Sequence, residues 1–578
     1  MPAPDSPFRS RLLPPALIAI VVALAFLPST ANGFTNWDDY LNFRDNPSYR
    51  GLGWAQLKWM WSTPFSGHYH PLTWMTLGLD YALWGMAPLG YHLTNVLLHA
   101  ANSVLLYFVI AAILRQRAPA WPAVAGALLH ALHPLRVESV AWVTERRDVL
   151  CGFFALLTVL AYLKRVEEDR AGRPSGKWLA LACAAFAASL LSKALSIMLP
   201  IVLLILDAYP LQRLKPATWQ RVLLEKIPFF ALSCADAVAM TWAMRQIDAV
   251  RAITTYNLPE RVAQAVYGLC FYIVKSLWPL GLIPLYRVDV PLNPWQAKYL
   301  VPLVAVIATT AALVYYRRRW PAGLVAWASY VVLLIPVLGV AVTGGQVAAD
   351  RYTYLAMIPM AVLAAAGLER FFVGEHPQRR IALSAACGVL ALLSVLTIRQ
   401  IPVWKDSITL WTHQLRFDPD SSLAYNSRGA ARQDLGDAAG AIEDCTKAIE
   451  LDRNSADPYL NRGLARAQLG DFDGALRDFD ALVQLAPKRA DGYVNRGVTR
   501  IQRGDLAGAY ADFTEALKQD EGNPRAYVGR GRLRARRGDL KGAADDFERA
   551  LRSAPEDWAQ RRETQMLLDR ARQQLRGS

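Results

Sequence analysis

The sequence predicts an all-α chain in two parts, a polytopic membrane helix bundle followed by an α-solenoid. Three observations carry that reading. Hydrophobic residues make up 53% of the 578 positions and charged residues 19%, but the two are segregated: 52 charged residues fall in the last 158 positions and 59 in the first 420. The net charge of +15 is as uneven, because the tail holds 27 basic and 25 acidic residues and leaves +13 to the apolar front. Third, the tail repeats itself every 34 residues.

The first apolar run, residues 12–31, follows Arg9 and Arg11 and is long enough to cross a bilayer. Ser29, Thr30 and Ala31 leave a small-residue cleavage site as the minority alternative. Ten more runs read as spans, at 92–114, 121–133, 148–163, 178–191, 194–208, 227–244, 299–316, 321–342, 353–372 and 381–398. Basic loops resist translocation and so fix the orientation. With the N-terminus cytoplasmic, the inner loops carry Arg115 and Arg117; Lys164, Arg165, Arg170, Arg173 and Lys177; Arg213, Lys215, Arg221 and Lys226; Arg317, Arg318 and Arg319; and Arg370, Arg379 and Arg380. Residues 263–283 would break this parity if they crossed, so the segment, with its Lys275 and Pro279, reads as re-entrant or interfacial. About eleven spans then form a membrane domain over 1–401, with everything after residue 400 on the same outer side as the first loop. The expected location is the inner (plasma) membrane, with the tail periplasmic. That first outer loop, 32–91, holds Trp37, Trp54, Trp59, Trp61, Trp74 and Trp84, and its 54–61 segment reads as lying along the headgroup layer.

Basic charge carried by loops between apolar runs is the mark of membrane topology and argues against a nucleic-acid groove. Five of the six cysteines (Cys151, Cys183, Cys234, Cys270 and Cys387) lie in or beside apolar runs and Cys445 stands alone in the tail, so neither a disulfide framework nor a zinc spacing exists.

Past a linker at 402–421, four units occupy 422–455, 456–489, 490–523 and 524–557, and a charged helix at 558–578 caps them. Tyr425, Tyr459, Tyr493 and Tyr527 keep the period, as do Gly429, Gly463, Gly497 and Gly531, Ala441, Ala475, Ala509 and Ala543, and the Gly-Asp pairs starting at Gly436, Gly470, Gly504 and Gly538. With Phe479, Phe513 and Phe547 these make the tetratricopeptide signature. The small residues let the two helices of a unit approach, and Gly-Asp ends one helix and starts the next. Asn461 and Asn495, two residues after the tyrosine, are groove-facing amides suited to the backbone of an acceptor peptide, although Ser427 and Gly529 break the series and a solvated polar face is the equal alternative.

The outer loops hold more ionisable side chains than anchoring requires. Asp38 and Asp39 follow the first span; adjacent carboxylates repel, which raises one pKa and poises a base. His133, Arg136, Glu138, Glu145, Arg146, Arg147 and Asp148 follow the third span, Lys193 lies between two apolar runs, and Arg251, Arg287 and Arg351 share the outer side. Arg and Lys are the expected phosphate partners. His68 and His70 share a loop and His92 and His99 lie seven apart, but no third metal ligand can be named and packing among tryptophans is the default.

These stretches resemble the transmembrane and tetratricopeptide-repeat-containing O-mannosyltransferase family of animals and its bacterial relatives, whose membrane module is a GT-C type glycosyltransferase. The matching segments are 34–47 (FTNWDDYLNFRDNP), 69–81 (YHPLTWMTLGLDY), 90–100 (GYHLTNVLLHA), 131–150 (ALHPLRVESVAWVTERRDVL), 191–207 around Ser192 and Lys193, and 349–355 (ADRYTYL). The resemblance implies a polyprenyl-phosphate sugar as donor and transfer of a mannose-like hexose to Ser or Thr hydroxyls on the outer face. It places the first-loop acid at Asp38 or Asp39. The family's Gly-Arg-Ala-Asp motif is replaced here by Glu145, Arg146, Arg147 and Asp148, and its Lys-Glu pair by Lys193 and Ala194.

The expected chemistry is inverting. Asp38 or Asp39 acts as base on the acceptor hydroxyl, and Arg146, Arg147, Lys193 and Arg351, with His133 and Glu138, bind the donor phosphate and substrate. No metal or other cofactor is obligatory. The expected partners are membrane lipids, the polyprenyl-phosphate sugar and a protein or peptide acceptor held by the repeats, with no nucleic acid. The rivals are a membrane-anchored scaffold for envelope or pilus assembly, an O-antigen ligase or polymerase and, last, a transporter. Eleven spans exceed what an anchor needs, and ligases centre on a late outer loop.

Overall fold

The computed structural model describes residues 7–116, 120–245, 256–289, 291–339, 346–372, 377–555 and 558–577, with side chains from residue 12 to residue 576. Arg117, Arg251, residues 340–342 of the ninth expected span and residues 556 and 557 of the fourth repeat lie outside the described residues, as do the side chains of Arg9 and Arg11. The chain divides into two units, Met1–Leu410 and Trp411–Ser578.

In the first unit α1 (Pro7–Phe26) leads into the 32–91 segment, which folds into α2 (Trp54–Ser62) and α3 (Pro71–Trp84). Next come α4 (Pro88–Ile113), α5 (Trp121–Ala131), the five-residue α6 (Val137–Ala141), α7 (Arg146–Arg170), α8 (Gly176–Leu190), α9 (Leu199–Ala208), α10 (Trp219–Leu224) and α11 (Ile227–Arg245). The unit ends with α12 (Leu258–Leu277), α13 (Ala297–Tyr315), α14 (Pro321–Leu334), α15 (Thr353–Ala356), α16 (Ile358–Glu369) and α17 (Arg379–Gln400). Proline in the first turn starts many of these helices, including α3, α4, α5 and α14, where its missing N–H leaves no intrahelical bond unmade.

Helix lies under every expected span. By length and composition, five stretches suffice to cross a bilayer: Leu12–Ala31, Pro88–Ile113, Val143–Arg170, Ala297–Arg318 and Arg379–Trp404. Asp350–Ala356 with Ile358–Glu369, bent by 56°, makes a sixth, and Gly176–Leu190, Ala194–Ala208 and Pro321–Val337 are shorter apolar helices. For 263–283, expected as re-entrant or interfacial, most of the segment is one uninterrupted helix, α12, with no turn back on itself, so the re-entrant reading is corrected and the interfacial one is left. Asn257 and Glu260 cap it reciprocally, and after Leu277 the chain leaves the helix at Trp278 and Pro279. A two-stranded antiparallel pair, β1 (Tyr286–Arg287) and β2 (Gln346–Ala348), then delivers Asp350 and Arg351 to the bundle.

The loop tryptophans divide between two roles. Trp74 is buried with Phe43, Tyr49, Met60, Leu77, Tyr91 and Val143 in an aromatic core, whereas Trp54 is 82% exposed. Close packing sets that core: a Cβ on Gly78 would lie 2.6 Å from the Gly51 carbonyl oxygen and 2.9 Å from that of Tyr49.

The charges assigned to opposite sides of the membrane form two separate clusters. Among the residues expected inside, Lys226 Nζ lies 2.6 Å from Asp207, Arg213 lies 3.0 Å from Asp207 and 2.9 Å from Glu225, and Arg165 lies 2.7 Å from Glu225. Tyr162 donates to Asp207 at 2.6 Å. This network ties the end of α7 to the loop between α9 and α11.

The segment 402–421, expected as a linker, carries helix α18 (Ser407–Phe417). The repeats follow as helix pairs: α19 (Ser422–Asp434) with α20 (Ala438–Leu451), α21 (Asp457–Gln468) with α22 (Phe472–Leu485), α23 (Ala490–Gln502) with α24 (Leu506–Gln519), and α25 (Pro524–Arg536) with α26 (Leu540–Ser553). Helix α27 (Arg561–Gly577) packs on α26. At each turn a glycine takes φ near +80° to +85° (Gly436, Gly470, Gly504, Gly538), the left-handed helix stop that glycine adopts without a Cβ clash. The aspartate after it accepts the N–H three residues on, as Asp471 does from Gly474 at 2.9 Å.

Candidate active site

The site begins where the chain leaves the first span. Asp39 is buried and all of its acceptor capacity is used: one carboxylate oxygen accepts the Thr35 N–H (2.9 Å) and hydroxyl (3.2 Å), the other the Thr144 N–H (3.0 Å) and hydroxyl (2.6 Å). It pins the 34–39 turn to the entry of α7. Burial pushes its carboxyl up to about 6, against the hydrogen bonds from Thr144 and Thr35. Repulsion from Asp38, the cause expected from the sequence, is the smallest contribution.

Asp38 is different. It is half-buried, and no donor among the described residues reaches its carboxylate. Burial raises its pKa, the Arg147 and Arg351 charges oppose that rise, and Glu145 adds to it. The aspartate pair therefore divides into one fixed structural carboxylate and one open carboxylate beside cations.

Those cations converge on Glu145, which is fully buried and stands at the position before α7, where a negative charge meets the positive end of the helix dipole. Arg147 reaches Glu145 at 2.8 Å, Lys193 Nζ at 2.6 Å and Arg351 Nε at 3.3 Å. Lys193 also meets Asp148 at 2.6 Å, and Ser139 donates to the other Asp148 oxygen at 3.0 Å. Glu138 accepts the Arg351 guanidinium and its backbone N–H, the latter at 2.8 Å. Three cations thus face three buried carboxylates in a layer that is balanced before Asp38 is added. The isolated Lys193 of the sequence is the bridge of that layer, and Arg351 also lies over the Trp142 ring, 5.5 Å from its centre.

Two expected donor-binding residues lie elsewhere. Arg146 is fully buried and points away from its neighbour, as adjacent residues on a helix must. It spends its donors on Asp80 (2.6 Å), the Tyr91 carbonyl (2.7 Å) and Asn95, tying α7 to α3 and α4. Its Nη1 makes only a 3.5 Å contact with the Thr76 hydroxyl, but the side chain is fully buried between these helices. His133 uses both ring nitrogens, Nε2 on the Ser276 carbonyl (3.0 Å) and Nδ1 on the Leu135 N–H (3.3 Å), and so positions the 133–136 turn.

His68 and His70, assigned by default to packing, border the site. Their rings are 5.9 Å apart, and His70 stacks on Trp74 at 5.4 Å. Burial and the Arg147 charge hold His70 well below its ordinary range, so it is neutral. Among the described residues no three His, Cys, Asp or Glu side chains converge as metal ligands.

In the repeats, Asn461 donates to Asn426 of the preceding unit at 2.9 Å, while Asn495 is 7% exposed and accepts from Arg525 at 3.1 Å. Asn495 is therefore tied between units, since its side-chain oxygen faces the next unit's helix. The period also carries a feature not read from the sequence. Buried Asp444, Asp478, Asp512 and Asp546 each bind two arginines, as Asp478 binds Arg462 at 2.7 Å and Arg466 at 2.8 Å. The signal was the arginine that precedes each periodic glycine: Arg428, Arg462, Arg496 and Arg530.

Family models of the tetratricopeptide repeat match residues 423–455, 460–524 and 495–557. Over most of its length the chain is similar to a Drosophila melanogaster protein named protein O-mannosyl-transferase Tmtc3, 25% identical over 514 residues, covering 75% of this chain and 54% of that one. The human protein O-mannosyl-transferase TMTC4 is 24% identical over 509 residues, covering 76% and 67%. The chain thus spans about half to two thirds of the length of these relatives. Among solved structures, MamA matches 25% of the chain and 85% of its own length at 25% identity, with a TM-score of 0.24.

Proposed function

We propose that this chain, a relative of the protein O-mannosyl-transferases with tetratricopeptide repeats, is a membrane glycosyltransferase of the GT-C type. It moves a mannose-like hexose from a polyprenyl-phosphate donor to a Ser or Thr hydroxyl of a protein, on the outer face of the inner membrane. The observation that carries the reading is Asp38, an open carboxylate whose field is set by Arg147 and Arg351. A general base and cations for a leaving phosphate are the two functions that such a transfer needs.

In this reading Asp38 takes the hydroxyl proton as the hydroxyl oxygen bonds to the anomeric carbon. The carbon–oxygen bond to the phosphate breaks on the opposite face, the configuration inverts and polyprenyl phosphate leaves. Arg147, Lys193 and Arg351 turn part of their charge toward that phosphate, and Glu138 and Glu145 hold them in place. The step takes no obligatory cofactor. The repeats hold the acceptor, with Asn461 and neighbouring helix faces offered to its backbone.

The test uses the purified full chain in lipid nanodiscs with radiolabelled polyprenyl-phosphate mannose and, separately, a nucleotide mannose, each with a Ser/Thr-rich acceptor. Transfer from the lipid donor alone, with the product's anomeric configuration inverted by NMR, is expected. Transfer from the nucleotide sugar, or retention of configuration, would remove this reading. A scaffold needs no buried layer of three cations and three acids beside an open aspartate, which is why the enzyme reading is preferred.

A further inference from the structure

Outside the Asp38 site the bundle contains a cavity of about 620 Å³, lined by His130, His133, Arg136, Met360, Leu393 and Leu396 among others. Its rim is formed by Leu277, Trp278, Leu280, Val389 and Leu392, all exposed. In a chain read as a membrane bundle such an exposed apolar rim is the surface that lipid would cover, which on that reading opens the cavity sideways into the bilayer. Arg136, at its inner end, is 1% exposed. One guanidinium nitrogen donates to the Thr353 hydroxyl at 2.5 Å, but Nε and Nη1 have no partner. No carboxylate among the described residues lies within ion-pair distance of it. The charges of Asp350 and Asp148 act on it from further off, but neither forms an ion pair with it: Asp350 accepts from the Tyr286 hydroxyl at 2.9 Å, and Asp148 serves Lys193 and Ser139. A buried cation with two unmet donors carries a large desolvation cost unless an anion joins it.

From these contacts we infer that the cavity seats a single-chain isoprenoid monophosphate, its phosphate on Arg136 and its chain along the apolar wall. The inference rests on the donor class proposed above and names the sugar-free carrier that the reaction releases. The lining selects this occupant. His133 and His130 already direct their Nε2 atoms to the carbonyls of Ser276 and Tyr354, so beyond Arg136 the wall has few groups for the hydroxyls of a sugar or the glycerol esters of a two-chain lipid. A phosphate followed at once by hydrocarbon meets no such loss. The guanidinium is also the side chain best matched to a phosphate.

The experiment uses the full chain in nanodiscs with a photoreactive polyprenyl phosphate bearing the label in its chain. Labelling is expected on the peptides that contain residues 276–280 and 389–396. Arg136→Gln should weaken it about tenfold or more and Arg136→Lys less, and excess phosphatidylglycerol should not compete. Leu392→Trp, at the exposed rim, fills the cavity mouth without touching the buried arginine and should also lower labelling, which keeps the test decisive if Arg136→Gln misfolds. Labelling elsewhere, equal labelling of both variants, or displacement by phosphatidylglycerol would overturn the assignment. Labelling at the cavity in a protein that transfers no sugar from any polyprenyl-phosphate donor would leave the seat standing and remove the function reading. Transfer without labelling there would do the reverse.

Discussion

Replacing Asp38 and Asp39 separately by Asn should divide chemistry from architecture. In Asp38→Asn the amide is nearly isosteric, and no donor among the described residues loses an acceptor, so the fold should melt as the wild type does. The base is gone, however, and general-base catalysis contributes typically ~10²–10⁴-fold, so transfer should fall by about that factor. In Asp39→Asn the amide nitrogen faces either the Thr35 or the Thr144 N–H, which now bond to the carboxylate at 2.9 and 3.0 Å. One backbone donor is left unmet and the remaining bonds lose their charge assistance, at a cost of about 2–4 kcal/mol. The apparent melting temperature should drop while the surviving folded fraction keeps measurable turnover. The assay is transfer of labelled sugar from polyprenyl-phosphate mannose per folded molecule, beside thermal unfolding in the same nanodiscs. Unchanged turnover in Asp38→Asn, or an unchanged melting curve with lost turnover in Asp39→Asn, would refute the division of roles.

Three further expectations follow from the same geometry. Removing one partner of the buried Arg146–Asp80 pair (2.6 Å) by Asp80→Asn should cost about 3–5 kcal/mol, read as loss of folded protein, whereas the double variant Asp80→Leu with Arg146→Met should recover much of it. Because burial lifts the Asp38 carboxyl above its ordinary value and the base works deprotonated, kcat/KM should fall as pH falls, with its acid limb above about pH 4; a limb at or below that value contradicts the assignment. In the repeats, Asp478→Ala strands Arg462 and Arg466, and since both are partly solvated the loss should be smaller, about 1–3 kcal/mol, visible as earlier thermal unfolding of the full chain.

The repeats were legible as four helix pairs because a 34-residue period writes every structural position several times over. The arginine–aspartate ladder was there too, but each charge taken singly looks like surface polarity. The membrane half was legible as helices. Its loop charges gather into two clusters, Lys193 and Arg351 with Glu145 in one and Arg213 with Asp207 and Glu225 in the other. Side-chain direction was not legible. Arg146 and Arg147 are neighbours in sequence and diverge because consecutive helical residues point about 100° apart; Asp80, an acid inside an apolar helix, was the available clue to where Arg146 goes. Nor could the doublet of Asp38 and Asp39 reveal which member was fixed, because the deciding donors on Thr144 lie 105 residues away. The continuous α12 was hidden by parity: topology rules count crossings but say nothing of a helix that leaves the count unchanged.

The central claim is that Asp38 faces the acceptor side of the donor sugar while Arg147, Lys193 and Arg351 face its phosphate. An experimental structure of the full chain with a non-hydrolysable polyprenyl-phosphonate sugar tests it directly. The account predicts the Asp38 carboxylate within hydrogen-bond reach of an acceptor hydroxyl, about 2.6–3.2 Å, on the face of the anomeric carbon opposite the phosphonate. A sugar bound with its phosphonate beside Asp38, or out of reach of that carboxylate altogether, would contradict it.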